Sequence, residues 1–99
     1  MSSDAAGLAR ALVRVDGRVQ GVGFRWWVAR EAGRRGLTGS ATNEWDGSVV
    51  VDAQGLPDDV DALVDLLTGT RTPGRPGHVS TWHVERRPVD ENLTDFTTR

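Results

Sequence analysis

The stretch from Gly17 to Arg25, with the sequence GRVQGVGFR, carries the residue types best suited to chemistry in this chain. It holds three glycines, Gly17, Gly21 and Gly23, follows an apolar β-branched run and opens a segment with helical spacing. A glycine-rich turn between a strand and a helix N-terminus suits an anion, because backbone N–H groups converge there and the helix dipole favours negative charge. The stretch therefore predicts an anion-binding loop.

The side chain of Arg25 indicates which anion the loop would hold. A guanidinium is planar and always charged, and its donors match two oxygens of a phosphoryl group. All twelve basic residues are arginine, which excludes the phosphate-loop lysine of a Walker A sequence and a Schiff-base lysine. The glycine spacing also differs from a dinucleotide-binding fingerprint. We therefore expect a phosphate cradle that works without lysine.

Metal and nucleophile chemistry find little support in the sequence. The chain has no cysteine, and no serine, histidine and acid arrangement stands out. His78 and His83 are five residues apart in a strand-like run, which places them on opposite faces of a strand. A shared metal is therefore disfavoured, and we expect no metal and no cofactor.

A phosphate cradle without an acid, a base or a metal restricts the reactions that are possible. An acyl phosphate fits, because its carboxylate departs unprotonated at neutral pH. Catalysis then needs only a positioned water and stabilised charge on the phosphoryl oxygens. A neutral side-chain amide could hold that water. The asparagines are Asn43 and Asn92, and Asn43 lies in a predicted strand just before Asp46–Gly47.

Periodicity and turn residues predict the elements around the loop. Apolar residues at helical spacing predict helices over 24–35 and from Pro57 to Thr68. An Asp-Gly pair between two β-prone runs is a strong hairpin signal, so two strands should join at Asp46–Gly47. The predicted strands are 8–16, 38–45, 48–54 and 78–87, with a short edge strand around Phe96.

The order of these elements predicts the fold class. Strand, helix, strand, strand, helix, strand is the split βαβ arrangement, an α+β ferredoxin-like sandwich. We expect an antiparallel sheet with both helices on one face.

Length and charge indicate one small domain and a small-molecule ligand. Ninety-nine residues allow a single core, and we expect a flexible tail over residues 1–7 before one domain over 8–99. The tail is polar and lacks the blocks of a signal peptide. A net charge of −2 gives no general attraction to nucleic acid or membranes. We expect a cytoplasmic monomer that binds neither nucleic acid nor membrane.

Two separate motifs resemble the acylphosphatase family. The family pattern G-x-V-Q-G-V-G-F-R is matched in full by Gly17 to Arg25. A second pattern, Gly-x-x-x-Asn followed by Asp-Gly-Ser/Thr-Val, is matched by Gly39, Asn43, Asp46, Gly47, Ser48 and Val49. The resemblance spans about residues 8–98. It implies a small ferredoxin-like enzyme that hydrolyses the carboxyl–phosphate anhydride of acyl phosphates without a metal or organic cofactor.

The resemblance also implies roles for particular residues. Arg25 would bind the phosphate, and Asn43 would orient the attacking water. The phosphate-binding loop that completes the cradle comprises Gly17, Arg18, Val19, Gln20, Gly21, Val22, Gly23 and Phe24. For Gln20, a contact to the ligand loop and a cap of the turn are equally favoured. Ser40 and Thr98 depart from the family pattern, which usually has an aromatic and a branched apolar residue there; these changes concern packing more than chemistry.

An alternative interpretation is a non-catalytic phosphate-binding or regulatory domain on the same fold. Related domains open large carbamoyl-transferring hydrogenase maturation proteins, where proline usually follows the motif arginine. This chain has Trp26 at that position and ends at residue 99, so we expect a free-standing enzyme. The sequence assigns no role to the glycine- and proline-rich loop over 69–77, and no pocket to the carboxylic half of the substrate.

Overall fold

The computed structural model describes residues 7–99, so the predicted tail, apart from Gly7, lies outside the described residues. The chain there forms, in order, β1 (Ala9–Arg18), α1 (Phe24–Arg34), β2 (Thr38–Asn43), β3 (Val49–Gly55), α2 (Pro57–Thr68), β4 (His78–Arg86) and β5 (Phe96–Thr98). This order confirms the predicted split βαβ arrangement and the short terminal strand.

Over residues 7–99 the strands form one sheet in the order β4-β1-β3-β2-β5. The first four strands pair antiparallel, as predicted, with Val13 opposite both Val51 and Val84. The terminal strand differs, because β5 pairs parallel with β2. The segment after β4 crosses the sheet before β5 begins, so β5 runs in the direction of β2 and makes the sheet mixed.

One face of the sheet carries the core. In β1, Ala11, Val13 and Val15 are buried, while Arg10 and Arg14 lie on the other face. This is the alternation that a half-buried strand requires. Both helices cover the apolar face with one stripe each, and their buried apolar residues are Phe24, Trp27, Val28 and Ala32 in α1 and Val60, Leu63, Val64 and Leu67 in α2.

The connection between β2 and β3 is longer than the sequence pattern predicts. The strand β2 ends at Asn43, two residues before the predicted end, and residues 44–48 form the turn. The N–H of Glu44 donates to the carbonyl of Ser48 at 2.9 Å, and Gly47 N–H donates to the carbonyl of Glu44 at 3.1 Å. These bonds close a wider turn around Asp46–Gly47.

The topology brings three connections to one end of the sheet, which we call the cradle end. Strands β1 and β2 finish there, β3 and β4 start there, α1 begins there and α2 ends there. The connections are residues 19–23 between β1 and α1 (the cradle loop), the 44–48 turn and the 69–77 loop. The functional residues predicted from both motifs are therefore brought to the same end.

Candidate active site

The start of α1 offers unpaired backbone donors. Gly23 occupies the N-cap position with φ +85°, and no side chain caps the helix. The first helical hydrogen bond runs from the N–H of Trp27 to the carbonyl of Gly23 at 3.0 Å. The N–H groups before Trp27 therefore have no partner within the helix, which is the usual basis of an anion site.

Space above the cradle loop is open at two of its glycines. Gly21 and Gly23 both have positive φ, and apart from each glycine and its chain neighbours no heavy atom of the described residues lies within 4 Å of the position that a Cβ would take. Gly17 has a different role, because a Cβ there would lie 2.2 Å from the carbonyl oxygen of His78. Gly17 and Arg18 belong to β1 and pair with β4, next to a shift in register.

Apolar side chains anchor the cradle loop to the core. Val19 and Phe24 are each 1% exposed, and Val22 packs against the core while partly exposed. The side chains of Val19 and Phe24 are buried, so only their backbone groups are available to a ligand. The loop is thus fixed from below by its hydrophobic residues.

Gln20 ties the cradle loop to the turn after β2. Its Nε2 donates to the carbonyl of Glu44 at 2.7 Å and to the carbonyl of Ser48 at 2.9 Å. Both amide hydrogens are used, so the side chain serves as a brace between two segments. The sequence left this role open, because nothing local identifies carbonyls 24 and 28 residues away.

Asn43 is placed at the end of β2, beside the braced turn. Its N–H donates to the carbonyl of Arg99 at 2.9 Å, which fixes its backbone between β3 and the end of β5. Its side-chain Oδ1 is buried, and no described residue donates to it. Buried oxygens are nearly always hydrogen-bonded in proteins, so this acceptor stands out among residues 7–99 as one that lacks a donor. Asn92 lies elsewhere, beside Arg10 at the opposite end of the sheet.

Arg25 lies in the first turn of α1 and is half-buried. That turn has no acidic residue, and within residues 7–99 no carboxylate lies within 4.0 Å of its guanidinium. A cation at a helix N-terminus is mildly unfavourable unless an anion accompanies it. Because α1 packs against β2, Arg25 and Asn43 lie on neighbouring elements at the cradle end.

A second network stiffens the 44–48 turn. The Oδ1 of Asp46 accepts hydrogen bonds from the Ser48 hydroxyl at 2.7 Å and the Ser48 N–H at 3.0 Å, and Arg14 pairs with its other oxygen. These bonds, those from Ser48 first, lower the pKa of Asp46 from 3.8 to about 2. The short Asp-Gly-Ser sequence could have suggested the Ser48 contacts, since aspartates bond backbone two residues on. The Arg14 contact crosses the sheet and has no local signal.

The two histidines lie exposed in β4. Within the part of the chain that the structure describes, no three His, Cys, Asp or Glu side chains are close enough to share a metal ion. In the same residues, neither helix has the length and apolar character needed to cross a membrane.

Known proteins resemble this chain in sequence and in fold. The model of the acylphosphatase family matches residues 11–98. An acylphosphatase of Mycolicibacterium vanbaalenii is 55% identical over 86 residues, covering 86% of this chain and 88% of the relative. The solved acylphosphatase structure from Coxiella burnetii has a TM-score of 0.84 at 32% identity over the whole of both chains. That from Bacillus subtilis has a TM-score of 0.81 at 32% identity, covering 92% of this chain and 98% of the other.

These similarities extend over most of the chain, and the family match over residues 11–98 contains both sequence motifs. The chain therefore belongs to the acylphosphatase family, has the ferredoxin-like fold of that family, and is an enzyme of the hydrolase class.

Proposed function

We propose that this enzyme hydrolyses the carboxyl–phosphate anhydride of acyl phosphates without using a metal. Water attacks the phosphorus, the bond from phosphorus to the acyl oxygen breaks, and a carboxylate and inorganic phosphate are released. The water supplies the new P–O bond, and its protons pass to the phosphate and the solvent. The leaving carboxylate takes its electron pair and needs no proton, so no general acid is required.

The phosphoryl group would be held by Arg25 and by backbone N–H groups from the cradle loop to the start of α1. In support, the guanidinium has no carboxylate partner among residues 7–99, and the helix start has no side-chain cap. Backbone donors fixed by buried Val19 and Phe24 need little reorganisation as charge grows on the phosphoryl oxygens. Gly17 and Arg18 would support the loop from β1.

Asn43 would hold the attacking water. The observation that carries this role is its buried Oδ1, to which no described residue donates. A water bonded to that oxygen would sit beside the cradle, because Gln20 braces the following residue, Glu44, against the cradle loop. Holding a nucleophile in position removes much of the entropic part of a barrier.

We also propose that residues 8–99 act as one domain and that the enzyme works as a monomer on a small-molecule substrate. In support, the proposed groups, from Gln20 to Asn43, lie at one end of a single sheet, with β5 at its edge beside β2. Sedimentation of the active enzyme should give the mass of one chain, and activity should rise in proportion to its concentration. The cytoplasmic location stays a prediction from the sequence.

The direct test is hydrolysis of benzoyl phosphate by purified protein in excess chelator. We expect turnover by the unchanged protein and loss of productive binding in Arg25→Ala. Arg34→Ala is the matched control, because Arg34 is a solvent-exposed arginine in the last turn of the same helix. Inorganic phosphate binding with no turnover of any acyl phosphate would instead indicate a non-catalytic anion-binding domain.

A further inference from the structure

The 69–77 loop borders a cleft next to the cradle loop. The cleft has a volume of about 330 Å³ and lies between this loop and His78, the first residue of β4. Since α2 ends and β4 begins at the cradle end, the cleft opens at the same end of the sheet as the proposed phosphate site.

Gly77 lines the cleft and also lies against the cradle loop. A Cβ atom at Gly77 would lie 2.0 Å from the carbonyl oxygen of Arg18 and 2.9 Å from Cγ2 of Val22. Arg18 in turn pairs with His78 across β1 and β4. The cleft therefore adjoins the end of β1 and the cradle loop through Gly77.

The loop that forms the cleft is held in place without a ligand. The guanidinium of Arg75 donates to the carbonyls of Leu66 at 2.9 Å and Leu67 at 3.0 Å, at the end of α2. The Thr72 hydroxyl also donates to the Leu66 carbonyl at 2.9 Å. A positive charge is favourable at a helix C-terminus, so these contacts fasten the loop and give the cleft a fixed shape.

The charge of the cleft is positive. Its lining includes Arg71 and Arg75 and the imidazole of His78, and no carboxylate. Arg71 is exposed, and among residues 7–99 it has no carboxylate at ion-pair distance. The Arg75 guanidinium is occupied by its hydrogen bonds to the end of α2, so Arg71 supplies the guanidinium that can bind a ligand. A guanidinium matches the two oxygens of a carboxylate.

We propose that this cleft receives a carboxylate on the acyl half of the substrate, so that the enzyme favours acyl phosphates with a second anionic group. This inference rests on the proposed hydrolysis of acyl phosphates. The cradle holds the phosphoryl group, and Arg71, with His78 beside it, holds the carboxylate at the far end of the same molecule. Arg71 is thus a specificity residue. Its contact with the carboxylate is the same before, during and after the chemical step.

The test compares benzoyl phosphate with 4-carboxybenzoyl phosphate, which differ only in the second anionic group. In the unchanged enzyme we expect a higher kcat/KM for the carboxylated substrate. Arg71→Ala should lower that preference about 1.5- to fivefold through KM, the range expected for an exposed ion pair, and leave benzoyl phosphate unchanged. Arg71→Lys should keep most of the preference, and added salt should weaken it.

The control is Arg87→Ala, which removes the same charge from an exposed residue at the opposite end of the sheet. It should leave the ratio of the two kcat/KM values unchanged. Hydrolysis of both substrates with the same ratio in the unchanged enzyme and Arg71→Ala would overturn the cleft assignment alone. Hydrolysis of neither substrate would overturn the proposed function and this inference together.

Discussion

The side-chain Nε2 of Gln20 lies 2.7 Å from the carbonyl oxygen of Glu44, and this bond joins the cradle loop to the residue that follows Asn43. The same nitrogen donates to the carbonyl of Ser48 at 2.9 Å, on the other side of the turn. One amide therefore holds both sides of the turn against the loop. The brace therefore helps to set the position of Asn43 relative to the proposed phosphate site, together with the pairing of Asn43 in the sheet.

Replacement of Gln20 by leucine should loosen the contact between the cradle loop and the 44–48 turn. Each of the two carbonyls loses one of its two donors, and at about 0.5–1.5 kcal/mol for each lost hydrogen bond this should cost about 1–3 kcal/mol in the free energy of unfolding. The water held by Asn43 should shift relative to the phosphoryl group, and displacements of about 1 Å can cost up to about 10²-fold in rate. Steady-state kinetics should therefore show a loss mainly in kcat, alongside a lower denaturation midpoint.

Gln54→Leu is the matched control for this variant. Gln54 makes a comparable pair of bonds, donating to the carbonyl of Asp90 at 2.9 Å and accepting from its N–H at 2.7 Å, at the opposite end of the sheet. Its loss should lower stability by a similar amount and leave kcat unchanged. Equal losses of kcat in both variants would show that Gln20 acts only through stability.

The carboxyl group of Asp46 should make stability fall in acid. Hydrogen bonds from Ser48 and the contact with Arg14 hold its pKa at about 2 in the folded protein, against 3.8 without them. A depressed folded pKa stabilises the fold above the unfolded value, and that contribution disappears as the pH drops from 3.8 towards about 2. Denaturation midpoints should thus decrease less steeply across this window in Asp46→Asn than in the unchanged protein.

Asp61→Asn provides the comparison for that experiment. Asp61 is an exposed carboxylate of α2 that pairs with Arg86 at 3.0 Å, away from the turn. This variant should keep the acid dependence of the unchanged protein. An unchanged slope in Asp46→Asn would contradict the assignment of the acid sensitivity to Asp46.

Gly77→Ala should disturb the cradle, whereas Gly74→Ala should not. Both glycines have positive φ, of +74° and +79°, so each alanine should pay the roughly 1–2 kcal/mol of a left-handed conformation. Only at Gly77 would the new methyl group meet another segment, at the carbonyl of Arg18, whereas at Gly74 no described atom beyond the chain neighbours lies within 4 Å. We expect Gly77→Ala to lose more stability than Gly74→Ala. Only Gly77→Ala should bind phosphate more weakly than the unchanged protein.

Titration with inorganic phosphate, followed by tryptophan fluorescence or calorimetry, would measure that binding. Identical phosphate affinities in the two glycine variants would show that the 69–77 loop does not support the cradle loop.

The elements could be predicted from the sequence because their signals are local. The apolar stripe of α2 with Pro57 at its start needs no partner to be recognised, and neither does the glycine-rich loop before α1. The exact end of β2 at Asn43 was not predicted, because the turn is widened by a bond between Glu44 and Ser48 that Asp-Gly alone does not specify. The parallel pairing of β5 depends on where the chain crosses the sheet, which no short segment encodes.

In the candidate site, too, some features have local sequence signals and others depend on the assembled fold. Arg25 and Asn43 were proposed from their types and from two motifs, and the structure places both at the cradle end. The brace by Gln20 and the pairing of Arg14 with Asp46 link residues 24 to 32 positions apart. Such contacts arise only once β1, β2 and β3 are aligned. The cleft at Arg71, and the substrate preference inferred from it, likewise could not be predicted from the sequence, because the cleft forms only once α2 and β4 are in place.

The most direct test of the proposed mechanism is Asn43→Ala, measured for both turnover and phosphate binding. Loss of one positioned polar group should lower kcat for benzoyl phosphate by roughly 10²–10³. Inhibition by inorganic phosphate should change little, because Arg25 and the cradle loop remain. An Asn43→Ala enzyme with unchanged kcat, or one that loses phosphate inhibition in step with turnover, would contradict the role of Asn43 in holding the attacking water.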